Sequence, residues 1–190
     1  DRILKNALPE TRKNINELLR YPETSAGSIM TTEYVYLGRN MTVEEALEQI
    51  RKVAIVKETV YTCYVTEKRF LVGIVTAKDL LISPLDRKIE EIMETNVISV
   101  HTEDDREEAA ALFLKYDFLA LPVVDRENRL VGIITVDDAM DVQTMEAEQA
   151  KYEKSLNEIN QLDSRANALH EQVLTKTISL EKFQSDSRLL

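Results

Sequence analysis

The sequence predicts an α+β fold: two tandem β-α-β-β-α units with helices at either flank. Two observations carry that expectation. First, the chain repeats itself. Residues 70–81 read FLVGIVTAKDLL and residues 129–140 read RLVGIITVDDAM, so Gly73, Thr76 and Asp79 recur as Gly132, Thr135 and Asp138 at an offset of 59. Ile29-Met30 and Glu44-Glu45-Ala46 recur as Ile92-Met93 and Glu107-Glu108-Ala109 at an offset of 63. The difference places about four extra residues in the first copy, near Val53–Thr59, and a repeat this long is a duplicated structural unit. Second, each copy shows extended and helical patterns in the same order, which yields a mixed sheet covered by helices.

Taken in order, residues 1–20 read as helical, because Ile3, Leu4, Leu8, Ile15, Leu18 and Leu19 recur near helical spacing. Pro9 starts a second short helix after a break at Asn6–Leu8. Tyr21-Pro22 closes it, since a residue before proline leaves the α region. Ser25–Ser28 is a small-residue turn into the first copy. Extended segments are expected at Val35–Leu37 and Val97–Val100. Helix-start signals follow: Thr42 with Glu45, and Asp104 or Asp105 with Glu107-Glu108. The helices run through Ala46, Leu47 and Ile50, and through Ala109–Leu114. Strands are expected at Thr62–Thr66 and Phe70–Val75, then at Ala120–Val124 and Leu130–Thr135, with hairpin turns at Glu67-Lys68 and Arg126–Asn128. Thr76 and Thr135 are placed to cap a second helix in each copy. Ser83-Pro84 separates the copies. The later residues are polar, but Leu156, Ile159, Leu162, Ala166, Leu169 and Val173 step by 3 or 4. That is an amphipathic helix suited to packing against another helix, within or between chains. Thr175–Ser187 is expected to be weakly structured. The resulting partition is a helical segment 1–24, a first copy 25–88, a second copy 89–142 and a helical tail 143–190.

Composition narrows the function classes. A chain of 190 residues holds one or two modest domains. No apolar run approaches the ~20 residues that span a bilayer, so a soluble chain is expected, and the start has no signal-peptide pattern. The single cysteine, Cys63, excludes an internal disulfide framework and suits a reducing compartment. The net charge of −10 is unevenly spread: residues 92–141 carry 12 acidic and 4 basic side chains, whereas residues 29–81 carry 7 of each. Nucleic-acid binding is disfavoured, because phosphate backbones need basic patches. A concentrated acidic surface repels itself unless cations or basic partners offset it; otherwise it is a solubilising face. His101 lies at a strand end and His170 in the tail. There is no zinc spacing, nucleophile elbow or phosphate loop, so no enzyme is expected.

In both copies the phrase hydrophobic-Gly-Ile-hydrophobic-Thr-x-x-Asp follows a hairpin, and Leu121-Pro122-Val123-Val124-Asp125 precedes the second one. These residues resemble the CBS domain, and two copies in register resemble a CBS pair across about 29–141. The stretches Tyr21–Thr31, Lys115–Asp125 and Val136–Val142 further resemble MgtE-type magnesium transporters. That resemblance implies a homodimeric sensor on the cytoplasmic face of the membrane. It also implies a transmembrane pore domain of the same protein outside these residues, and makes helix 9–20 the end of a helical N-terminal domain. The resemblance fails in the tail, where the family continues as an acidic segment into the membrane domain.

The resemblance also implies ligands. Mg²⁺ prefers oxygen donors and keeps several waters, so weakly held ions sit between carboxylates of different elements. By position in the matching motifs, Asp105, Glu107, Asp117, Asp138 and Asp141 would be Mg²⁺ ligands. Asp138 and Asp141, three residues apart, share one face of the final helix. Beside this stand plainer roles: Asp105 as an N-cap, Glu107 as a capping-box or dipole partner. Thr76 and Asp79, like Thr135 and Asp138, match the CBS positions that hold nucleotide ribose and phosphate, and plain helix capping is the alternative. Within the family, ATP is implied in the electrically neutral first copy, with Lys78 and Asp79 near ribose and phosphate and Tyr61 on adenine. Mg²⁺-sensing regulation of a transporter is thus the leading expectation. An adenine-nucleotide-sensing module attached to an enzyme or other partner is the rival, and a bare CBS dimerisation module is a third.

Overall fold

The computed structural model describes residues 18–186, with side chains through residue 172 and at 176. The helices expected within residues 1–17 lie outside the described residues. The chain forms two compact units, Asp1–Thr144 and Met145–Leu190.

The first unit opens with α1 (Ala26–Ile29), β1 (Tyr36–Gly38), α2 (Val43–Val53) and a 3-10 turn (Ala54–Val56). It continues with β2 (Thr62–Glu67), β3 (Phe70–Thr76) and α3 (Ala77–Ile82). The second copy supplies α4 (Ile89–Ile92), β4 (Val100–His101), α5 (Arg106–Tyr116), β5 (Ala120–Val124), β6 (Leu130–Thr135) and α6 (Val136–Asp186). Each copy makes a three-stranded sheet, ordered β1-β2-β3 and β4-β5-β6. In each, the first pair is parallel, because a helix crosses between its strands, and the second is an antiparallel hairpin. The extra residues of the first copy fall in the 3-10 turn and the link that follows it.

Local chemistry sets the helix starts. Thr42 and Glu45 form a capping box: the Glu45 N–H donates to Thr42 Oγ1 at 3.2 Å and the Thr42 N–H to Glu45 Oε2 at 2.8 Å. At α5 the cap is Asp105, whose Oδ1 accepts the N–H groups of Glu107 and Glu108 at 2.8 and 3.2 Å. Asp104 instead accepts the His101 N–H at 2.7 Å. The first hairpin differs by one residue from expectation. Glu67 stays in the ladder opposite Phe70, so the turn is Lys68-Arg69, with φ of 51° and 76°.

The two copies exchange their leading segments. Thr31 and Ile133 trade backbone hydrogen bonds at 2.8 and 2.9 Å, and Ile74 and Glu94 do so at 2.9 Å each way. Met30 from the first copy therefore sits in a core with Val100, Phe113, Leu121 and Ile134 of the second. Ile89 joins Leu37, Val43, Cys63, Val65 and Leu80 of the first. A third cluster, with Tyr64, Ala120, Leu130 and Ile133 fully or nearly buried, joins the sheets.

Within the second unit the structure departs from expectation: α6 continues as helix to Asp186, across most of the segment expected to be weakly structured. The reason is visible in the composition, since no glycine or proline follows Gly132 and nothing interrupts the helix once begun. Among the described residues, no helix is long and apolar enough to cross a membrane.

Candidate functional site

The start of α3 gathers four of the expected residues. Thr76 Oγ1 accepts the Asp79 N–H at 3.2 Å, and Asp79 Oδ2 accepts both the Thr76 N–H at 3.0 Å and the Thr76 hydroxyl at 2.5 Å. This reciprocal cap engages only one Asp79 oxygen; among the described residues the second, Oδ1, makes no hydrogen bond. The Ala77 N–H donates to the Tyr61 carbonyl at 2.9 Å, which ties Tyr61 to the same helix start. The Tyr61 side chain is 67% exposed. Lys78 is exposed one turn-position away and has no ion pair among the described residues. A cation, a hydroxyl, a carboxylate oxygen and an open aromatic face thus share one end of the first copy.

The second copy repeats the geometry with different chemistry. Thr135 is buried and its hydroxyl donates to Asp138 Oδ2 in a short hydrogen bond. The Val136 N–H donates to the Leu119 carbonyl at 3.1 Å, so Leu119 stands where Tyr61 stands in the first copy. Thr135 is therefore grouped with Asp138, apart from Tyr61, Thr76, Lys78 and Asp79. Sequence reasoning missed Leu119. The repeat offset of 59 carries Tyr61 onto Ala120 instead, because the second hairpin is one residue longer: Thr62 pairs with Thr76 but Ala120 with Thr135, an offset of 58 on this strand.

The acidic residues are arranged differently. Asp105 and Asp138 each have an oxygen engaged in a cap, so the plainer role expected for Asp105 is realised. Asp117 ends α5 in the left-handed region, with φ of 54° and ψ of 39°, and its N–H donates to Phe113 at 2.9 Å. It lines a cavity of about 260 Å³ together with Phe113, Phe118, Val136 and Met140. Glu107 and Asp141 are exposed. Among the described residues, the carboxylates of Glu107, Asp117 and Asp141 have no hydrogen bond or ion pair. Asp105 and Glu107 stand at one end of α5 and Asp117 at the other, separated by 11 residues or ~16 Å of helix. Among the described residues, no three carboxylate, histidine or cysteine side chains converge to hold a metal ion. Within one chain the acidic set offers separate oxygen donors rather than a closed site. That donor chemistry fits a hydrated Mg²⁺ bridged to a facing surface and does not fit a dehydrated cage.

Two buried groups are removed from chemistry. Burial pushes the Cys63 thiol up to about 12, so it is a core side chain and no nucleophile at neutral pH. Burial also pushes up the Tyr64 hydroxyl, which has no hydrogen-bond partner.

Comparison with known proteins follows the same lines. The CBS domain family matches residues 26–85 and 89–144. The chain is 47% identical over 146 residues to the magnesium transporter MgtE of Thermus thermophilus, covering 76% of this chain and 32% of that protein. It is 41% identical over 143 residues to MgtE of Bacillus subtilis, covering 75% and 32%. The chain thus spans about a third of the length of these relatives. Among solved structures, the cytosolic domain of the Mg²⁺ channel MgtE in complex with ATP aligns with a TM-score of 0.72 at 45% identity. That alignment covers 74% of this chain and 57% of that one. With both repeats matched in register and both sheets as the duplication requires, this chain belongs to the CBS domain family, as a tandem CBS pair similar to the MgtE cytosolic domain.

Proposed function

We propose that this chain is the Mg²⁺-sensing regulatory part of a magnesium transporter. It acts as a homodimer at the cytoplasmic face of the membrane and has no catalytic role. Residues 1–24 would close a preceding helical domain, 25–88 and 89–142 would be the two CBS copies, and a transmembrane pore domain of the same protein would receive the signal. The observation that carries this reading is the second copy's excess of acid, with the carboxylates of Glu107, Asp117 and Asp141 left without partners among the described residues. Carboxylates brought face to face repel, and the repulsion grows as the surfaces close and water is excluded. Mg²⁺ held between them, with Asp105 and Asp138 contributing their uncapped oxygens, removes that repulsion and favours the compact dimer. Loss of the ion favours a splayed dimer. The ion shifts a population between these states through its differential affinity, and the compact state would close the pore. The likeness to MgtE cytosolic domains supports the same assignment.

The test is small-angle scattering of the purified chain with and without millimolar Mg²⁺. The expected result is a contraction that Asp117→Asn and Asp141→Asn together abolish. These substitutions preserve shape and remove no side-chain capping bond, and asparagine tolerates the left-handed backbone at Asp117, so a lost response reads the charge. An unchanged radius of gyration and unchanged protease sensitivity on adding Mg²⁺ would overturn the reading.

A second reading rests on a separate observation. Exposed Tyr61 is tied by its carbonyl to the start of α3, where Lys78 is exposed and one Asp79 oxygen stays outside the cap, whereas the second copy offers Leu119 at that position. This favours an adenine nucleotide in the first copy, with the base on Tyr61, and ATP is the bound nucleotide in the similar MgtE structure. Calorimetric titration with ATP, repeated on Tyr61→Ala, decides it.

A further inference from the structure

Beyond Thr144, α6 leaves an apolar stripe open to solvent: Tyr152 is 65% exposed, Ile159 55%, and Leu162 and Leu169 61% each. Read in heptads, Met145, Tyr152, Ile159 and Ala166 take position a, and Leu162 and Leu169 take position d. Position a is apolar over four heptads and position d over the two at Leu162 and Leu169, and an a/d stripe is a coiled-coil seam and not the broader face that a helix lays on a globular core. The CBS match ends at residue 144, so this segment lies outside the CBS pair.

The polar residues of the seam say what covers it. Glu148 and Lys176 both fall at d, Glu158 and Arg165 at g, and Asp163 at e. A parallel pair in register would stack Glu148 on the partner's Glu148 and Lys176 on the partner's Lys176. It would also set Glu158 beside the partner's Asp163. Each of these juxtapositions is repulsive. An antiparallel pair with Ile159 opposite the partner's Leu162 removes all of them. In that register Tyr152 meets the partner's Leu169, and the small Ser155 meets the partner's Ala166. Glu158 then lies beside the partner's Arg165, and Glu148 lies one layer from the partner's Lys176. We propose that residues 145–176 form an antiparallel two-stranded coiled coil with the same segment of a second copy of this chain. This interface is independent of any ion or nucleotide at the CBS pair.

The test is equilibrium sedimentation of the full chain in EDTA, with the helical circular dichroism melt followed against protein concentration. Self-association is expected, and Leu162→Glu, a change on an exposed helix face, should weaken it at least tenfold. Glu158→Arg turns two symmetry-related attractions into repulsions and should weaken association by about tenfold. Glu158→Arg combined with Arg165→Glu should restore it. A parallel pairing gives the opposite sign, because the new arginine would meet Asp163; tighter association of Glu158→Arg therefore overturns the proposal. Association indifferent to all three variants overturns it too, whether dimers form only through the CBS pair or the stripe takes a different protein.

Discussion

Asp79 and Asp138 each bind their own threonine three residues back, so one carboxylate does structural work before any ligand arrives. Alanine at either position would remove an N-cap as well as a donor, and binding losses would be confounded with unfolding; asparagine keeps the cap. Cys63 gives a cleaner residue-level test. Its thiol is held neutral by burial, with its pKa pushed from 9.0 to about 12. The stability that comes from keeping the thiol neutral is fully present below pH 9.0, the unfolded value, and is lost progressively as pH rises towards about 12. Maleimide labelling at pH 8 should therefore proceed only as fast as the native state opens, and Cys63→Ala should flatten the alkaline limb of stability. Prompt stoichiometric labelling of the folded chain would contradict this.

At the scale of elements, the two hairpins reach the same end by different chemistry. In the β5–β6 turn, Asp125 accepts the N–H groups of Glu127 and Arg129 at 2.9 Å each and the Arg129 guanidinium at 2.7 Å. Partial burial acts to raise the Asp125 pKa, but these hydrogen bonds hold it below the usual carboxylate range. The β2–β3 turn lacks such an anchor and places Lys68 and Arg69 at positive φ, where side chains are strained and glycine is not. Arg69→Gly should stabilise the protein by ~0.5–1 kcal/mol, read as a higher urea midpoint at unchanged slope. A lower midpoint would mean that the Arg69 side chain does more than occupy the turn.

Across the first unit, the exchange of leading segments makes the two copies one cooperative body. A β-carbon on Gly132 would lie 2.6 Å from the Met30 sulfur and 2.9 Å from the Thr31 carbonyl oxygen. On Gly73 it would lie 2.8 Å from the Met93 sulfur and 3.0 Å from the Glu94 carbonyl oxygen. The carbonyl contacts are backbone, so the crossing segment must shift. Gly132→Ala should cost about 1–3 kcal/mol, and because Thr31 bridges both copies it should lower the unfolding of the whole CBS pair in one transition. Calorimetry showing two separated transitions in the variant would mean that the copies are held together elsewhere. The same exchange offers a route by which an event at one helix start reaches the other copy.

Much of the fold was legible because it depends on local signals. The Gly-Ile-x-Thr-x-x-Asp phrase, Thr42 with Glu45, and strands Ala120–Val124 and Leu130–Thr135 are written in residues adjacent in the chain, where spacing maps directly onto hydrogen bonds. The boundary misses were also local: φ at Lys68-Arg69 follows from how far the β2–β3 ladder extends, which side-chain type does not specify. The candidate site was legible as a set of residue types and unreadable as an arrangement. Tyr61 meets the start of α3 through the Ala77 N–H, which donates to the Tyr61 carbonyl across the hairpin, and Met30 meets Gly132 across a hundred residues of chain. By itself the sequence determined the duplication, the helix caps, the charge asymmetry and the tail's heptads, because each is a property of spacing along one strand of polymer. Tertiary structure alone decided which copy each leading segment packs on, which carboxylates are tied up in caps and which, among the described residues, stay unpartnered. Those outcomes depend on competition among distant groups for the same buried volume and the same few donors.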